Sequence, residues 1–180
     1  TLVAFNGHNG TILWKRPLPE GLMVHRNTII ATPDIVYLGD DQSCKRLDAA
    51  TGEMIDEIAP PIALAGGTFW KWMALDGDIL YAVVENANPR PGDAPGSMRV
   101  RGGWGEVYRS DDAGATWRMT HEPEINVGGK APYSFNILRI DPEDSERIYV
   151  TSDGILISSD GGRSWGGMYG AEVHGLFRRM

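Results

Sequence analysis

The octet SDDAGATW, Ser110 to Trp117, returns 48 residues later as SSDGGRSW, Ser158 to Trp165. Internal repetition of this kind constrains a fold strongly, because each copy must be one small unit that buries its apolar face against its neighbours. Two further repeats run through the same chain. FNGHNGTILW (Phe5 to Trp14) lies over LDAATGEMID (Leu47 to Asp56), with Gly10 and Gly52 matched at a spacing of 42. DIVY (Asp34 to Tyr37), DILY (Asp78 to Tyr81) and ERIY (Glu146 to Tyr149) follow one another at spacings of 44 and 68, the larger gap holding one octet and a long insertion.

The segments between the repeats are short and apolar. LVAF, TIIA, DIVYLG, DILYAVV, FNILRI, RIYVTS and GILISS are rich in Val, Ile, Leu, Tyr or Phe and are bounded by Gly, Pro, Asp or Asn, which predicts strands. With 23 Gly and 11 Pro in 180 residues the chain is dense in turns, and no 3.6-residue periodicity persists long enough for a helix. In the hairpin repeat, Asn6 and Asp48 can fold their side chains back onto the turn backbone, while Gly10 and Gly52 supply a positive φ without a Cβ clash.

Units of 42 to 48 residues, each worth about four short strands, are the mark of β-propeller blades. The expectation is an all-β chain of roughly four blades, each of four antiparallel strands. Four is the lower limit for a closed ring, and the chain opens on what read as outer strands and ends on GAEVHGLFRRM, so a piece of a larger propeller is expected. Exposed strand edges in such a piece would favour self-association.

Two resemblances attach to these repeats. The pattern Asn6-x-x-Asn9-Gly10-x-x-x-Trp14, with Asp48-x-x-Thr51-Gly52, resembles the repeat of quinoprotein-like propellers over about residues 1–90. That family includes PQQ-dependent dehydrogenases and many members that bind no quinone. The tryptophan with which this repeat docks one blade on the next stands at Trp14, and its counterpart in the second copy is Asp56. The octets match the Asp-box, or BNR repeat, of sialidases, some glycoside hydrolases and sortilin-type propellers. Ser110, Asp112, Gly114, Thr116 and Trp117 fall in place, as do Ser158, Asp160, Gly162, Ser164 and Trp165. The resemblance implies a structural role at the outer rim of a blade: the carboxylate accepts backbone N–H bonds, Gly takes the left-handed position and Trp packs beneath. The expected organisation is quinoprotein-like blades over 1–90, a linker or long loop over 91–103 and Asp-box blades over 104–180. Resemblance to these families favours a periplasmic or secreted location.

Charge and residue types exclude several functions. The net charge of −7 is shared about evenly by the two halves, and the 17 basic residues are scattered among 24 acidic ones, so no phosphate-binding surface and no nucleic-acid partner is expected. No apolar run approaches the ~18–20 residues of a membrane-spanning helix. The single cysteine, Cys44, can form neither an internal disulfide nor a Cys-rich metal site, and it reads as a half-buried strand residue. His8, His25, His121 and His174 lack metal-ligand spacing, and DPEDSE, Asp141 to Glu146, lacks the ligand alternation and central Gly of an EF-hand, so it reads as an acidic turn and no metal site is assigned.

Catalytic chemistry finds no constellation here. PQQ with a divalent cation would need a matching Glu, Asn and Asp ligand set, and a sialidase would need an arginine cluster with a Tyr nucleophile; neither can be traced. No cofactor is expected, and PQQ with its cation stands only as an alternative. The leading expectation is a non-catalytic binding or scaffold module for a protein or carbohydrate ligand. The alternative is part of an extracytoplasmic enzyme, a quinoprotein-like oxidoreductase or an Asp-box glycoside hydrolase, with its catalytic residues outside this chain. For a ligand surface, the segments leading into the paired tyrosine strands are equivalent by position: MVHR, FWKW and PYSFN. They nominate His25, Arg26, Trp70, Lys71, Trp72 and Tyr133 as groups around one channel mouth.

Overall fold

A computed structural model describes residues 1–18, 24, 26–61, 66–86, 105–121, 127, 137–151 and 155–168. Its strands form a two-stranded hairpin and three four-stranded antiparallel sheets. The hairpin joins β1 (Leu2–Phe5) to β2 (Ile12–Arg16). Sheet I runs β3 (Ile29–Ala31), β4 (Ile35–Gly39), β5 (Cys44–Asp48), β6 (Met54–Ile58). Sheet II runs β7 (Gly66–Asp76), β8 (Ile79–Asn86), β9 (Gly105–Ser110), β10 (Arg118–Met119). Sheet III runs β11 (Ile137–Asp141), β12 (Asp144–Thr151), β13 (Ile155–Ser158), β14 (Gly166–Met168). In each sheet, strands consecutive in sequence are neighbours in space, the meander of a propeller blade. The helical content among the described residues is one 3-10 turn, Arg26–Thr28.

Every one of the seven segments expected to be extended contributes a strand. Each is a short β-branched or aromatic run that suits a pleated surface covered on its faces, and the Gly, Asp and Asn residues between them make the turns. Asp141 to Glu146 spans the β11–β12 turn, where the Asp141 carboxylate accepts the Glu143 amide at 3.0 Å. The strands on either side of the 91–103 segment, β8 and β9, pair with each other, so sheet II takes two strands from before that segment and two from after it; residues 91–103 themselves lie outside the described residues.

Two apolar layers hold the sheets face to face. Between sheets I and II, Tyr37, Cys44 and Ile58 meet Trp70, Met73, Leu80, Ala82, Val84 and Tyr108. Between sheets II and III, Trp72, Ala74, Tyr81, Val83 and Val107 meet Leu138, Ile148 and Val150. Sheet II is thus apolar on both faces, and β8 reads as the continuous run ILYAVV because alternate residues serve different neighbours. Cys44 is fully buried in the first layer rather than half-buried, and burial pushes its thiol up to about 12.

Candidate functional site

The two octets build nearly identical loops. Ser110 is buried and places its hydroxyl to accept the Gly114 amide at 2.7 Å while donating to Asp112 Oδ1 at 2.7 Å. Asp112 in turn accepts the Thr116 amide at 2.8 Å and the Thr116 hydroxyl at 2.6 Å. The second loop repeats this with Ser158 accepting from Gly162 at 2.8 Å, and Asp160 accepting the Ser164 amide at 2.9 Å and hydroxyl at 2.5 Å. Hydrogen bonds from Thr116 and Ser110 hold the Asp112 carboxyl down to about 2. At Asp160 burial pulls upward, but bonds from Ser164 and Ser158 outweigh it and leave the group at about 2. Both carboxylates are therefore ionised near neutrality and point their lone pairs into their own loops. Neither can serve there as a proton donor.

The octet tryptophans are half-buried and have different partners. Trp165 donates its indole N–H to the Gly162 carbonyl at 2.8 Å, beneath its own loop. Trp117 meets Trp70 edge to face, with ring centroids 5.7 Å apart, and so joins the layer between sheets I and II.

A contact that recurs three times binds each sheet to the preceding one. A side chain on the last strand of one unit, or just after it, sits against a turn glycine of the following unit. Trp14 lies over Gly52 and donates to the Ala49 carbonyl at 2.9 Å; Ile58 lies on Gly114; Thr120, just after β10, lies on Gly162. A Cβ built on these glycines would stand 2.6, 2.5 and 2.7 Å from those side chains, and all three have positive φ. Asp56 stands where the first copy has its docking tryptophan, and the second unit makes the contact with another residue. Asp56 pairs with Arg46 across the sheet, and docking shifts two residues along the strand to Ile58, on the same face.

A charged cluster adds to the contact between sheets II and III. Arg109 is buried and donates to the Tyr81 hydroxyl at 2.7 Å and to Glu146 at 2.5 Å, and its Nε donates to Asp111 at 2.6 Å. Burial works against the guanidinium charge, but the bonds to Glu146 and Asp111 hold it firmly protonated. Tyr81 also donates to the Ser145 carbonyl at 3.1 Å. Sequence reading missed this cluster because Arg109 and Glu146 stand 37 positions apart. The His121 side chain is fully buried, 3.5 Å from Glu106, and its Nε2 accepts the Val107 amide.

The six residues nominated for a channel mouth fare differently. Trp70, Lys71 and Trp72 are all fully buried. Trp70 pairs with Val84 and Trp72 with Val83, so Lys71 sits in a β-bulge. That extra residue reverses the alternation: Trp70 faces sheet I and Trp72 faces sheet III. The two indoles do not share a surface. Arg26 lies in the 3-10 turn, whereas His25 and Tyr133 fall outside the described residues. Among the described residues no three His, Cys, Asp or Glu side chains stand together as metal ligands, and no helix is long and apolar enough to cross a membrane.

Comparison with known proteins places this geometry. No family model matches the chain. A probable oligoxyloglucan-reducing end-specific xyloglucanase of Neosartorya fischeri is 28% identical over 95 residues, covering 49% of this chain and 11% of that protein. The crystal structure of the GH74 enzyme of Niastella koreensis superposes with a TM-score of 0.50 at 16% identity, over 87% of this chain and 24% of that one. YCF48 from Cyanidioschyzon merolae gives a TM-score of 0.48 at 14% identity, over 84% of this chain and 38% of that one. The chain spans about a tenth of the length of the curated relative and about a quarter of the GH74 enzyme. The likeness to the GH74 enzyme, together with the stacked four-stranded meanders, makes the fold a run of β-propeller blades.

Proposed function

We propose that these blades are a non-catalytic scaffold that presents a binding surface to a carbohydrate, with a xyloglucan-type β-glucan as the first ligand to test. The observation that supports this reading most directly is the partial identity with a xyloglucanase, found in a chain whose most distinctive aspartates are held in structural loops. The octets are read as Asp-boxes, since Ser110, Asp112 and Thr116, like Ser158, Asp160 and Ser164, bond one another within their own loop and the loop docks against the preceding blade through its glycine. With Trp70 and Trp72 committed to interblade layers, the ligand surface is proposed at the segments around Arg26, His25 and Tyr133.

A second reading rests on the same relative: blades of an Asp-box glycoside hydrolase whose catalytic carboxylates lie outside residues 1–180. Affinity electrophoresis in gels containing xyloglucan, alongside a reducing-end assay on the same polymer, separates the readings from failure of both. Retardation without release of reducing ends is the expected result. Migration unchanged by xyloglucan, arabinoxylan or cellulose derivatives would remove carbohydrate binding, and release of reducing ends would show that the chain carries its own catalytic groups.

A further inference from the structure

The turn between β1 and β2 ends in Asn9-Gly10-Thr11, the triplet in which an asparagine two places before a hydroxyl residue accepts an N-linked glycan. None of the other six asparagines of the chain stands two places before Ser or Thr. A triplet is short enough to arise by chance, so the structure around it decides whether a sugar can be carried there. Gly7, His8, Asn9, Gly10 and Thr11 are all exposed at the tip of the hairpin. The Asn9 side chain divides its two ends between different tasks. Its Oδ1 accepts the Thr11 amide at 3.0 Å and the Thr11 hydroxyl at 2.8 Å, while no hydrogen bond among the described residues uses Nδ2. A sugar on Nδ2 leaves the carbonyl oxygen in place, so both bonds survive the modification. The rest of the turn closes without Asn9: the Gly10 amide donates to the Asn6 carbonyl at 2.8 Å, and Asn6 Oδ1 accepts the His8 amide at 2.9 Å.

Exposure at this place does not depend on what precedes the hairpin. The equivalent turn between β5 and β6 has its preceding unit in position, with Trp14 over Gly52. Thr51, the counterpart of Asn9, is nevertheless exposed, and so is Glu53, the counterpart of Thr11. The two turns also share their local bonding, since Thr51 Oγ1 accepts the Glu53 amide at 3.2 Å where Asn9 Oδ1 accepts that of Thr11. A docked neighbour therefore covers the glycine and leaves the residue before it in solvent.

We propose that Asn9 is the acceptor of an N-linked oligosaccharide, donated in a secretory lumen by a lipid pyrophosphate that carries the sugar. Nδ2 bonds to the anomeric carbon of the donor as the bond from that carbon to the pyrophosphate oxygen breaks. The oxygen leaves with the electron pair, and one Nδ2 proton passes to a base of the transferring enzyme, so nothing is oxidised or reduced. Gly10 places no side chain between acceptor and hydroxyl, and Thr11 supplies the hydroxyl by which the triplet is recognised.

The test places the full 180-residue chain behind a cleavable leader in a eukaryotic secretory host and, in parallel, translates it in the presence of microsomal membranes, which gives a readout even where secretion is poor. Intact mass should show a single glycan on the wild type, removed by peptide N-glycosidase. Removal in heavy-oxygen water should leave a labelled aspartate at position 9, which distinguishes enzymatic release from spontaneous deamidation of the Asn9–Gly10 pair. Asn9→Gln and Thr11→Ala should each abolish the glycan, whereas Thr11→Ser and Asn6→Gln should keep it. A wild-type chain that loses its leader yet carries no glycan in either system, a glycan that persists in Asn9→Gln, or one that is lost in Thr11→Ser as fully as in Thr11→Ala overturns the proposal.

Discussion

Trp70 and Trp72 are two residues apart in one strand and face opposite neighbours, because Lys71 occupies a bulge between them. In an unbroken strand, residues i and i+2 share a face. The insertion lets one strand place a large aromatic into each of the two layers that join the three sheets. Since the indoles share no partner cluster, their contributions to stability should be independent. Trp70→Phe and Trp72→Phe should each cost about 1–2 kcal/mol, and the double variant should equal their sum within about 0.5 kcal/mol. Urea unfolding of the four proteins measures this, and a coupling above about 1 kcal/mol would mean that the two sites interact through the strand they share.

The glycine contacts give a graded series. Gly10→Ala pays only for a side chain at positive φ, about 1–2 kcal/mol. Gly114→Ala pays that and also meets Ile58 at 2.5 Å, and Gly162→Ala meets Thr120 at 2.7 Å. Both should lose about 2 kcal/mol or more beyond Gly10→Ala, because packed side chains must be displaced. Thermal melts at a concentration where the chain is monomeric rank the three variants.

The octet carboxylates should give stability an acid limb of defined sign. Asp112 and Asp160 sit at about 2 in the folded protein, below the ~3.9 of an unfolded aspartate. As pH falls from about 4, the unfolded chain takes up protons before the folded one does, so the contribution is complete above about pH 4 and is lost on approach to about pH 2. Asp112→Asn with Asp160→Asn should therefore be less stable than wild type at pH 7, and the gap should narrow steadily below about pH 4. Urea midpoints from pH 7 down to 2.5 measure the gap; a gap constant across this range would show that the carboxylate charges contribute nothing.

Cys44 should be inert to thiol reagents in the native state. It is fully buried in the layer between sheets I and II, and burial raises its thiol to about 12, so neither access nor thiolate is available at pH 8. Labelling by a thiol-reactive chromophore should proceed only through opening of that layer and accelerate by orders of magnitude in urea. Fast labelling without denaturant would show that the layer opens locally.

Repetition in the sequence determined the architecture, because a repeat of 42 to 48 residues can bury its apolar strands only by stacking. The strands, the hairpin turns at Asn6 and Asp48 and the two octet loops were legible, since each depends on residues within about ten positions of one another. The tertiary structure decided what lies between the units. A bulge at Lys71 leaves no local mark in FWKW, yet it moves Trp70 and Trp72 from a shared surface into two separate layers. Docking at Ile58 and Thr120 was hidden because the docking position depends on how neighbouring blades rotate against each other, and conserved spacing within a repeat carries no record of that. The ion cluster of Arg109 with Glu146 is the same case: two ordinary surface-type residues become an interblade contact only when sheets II and III stack.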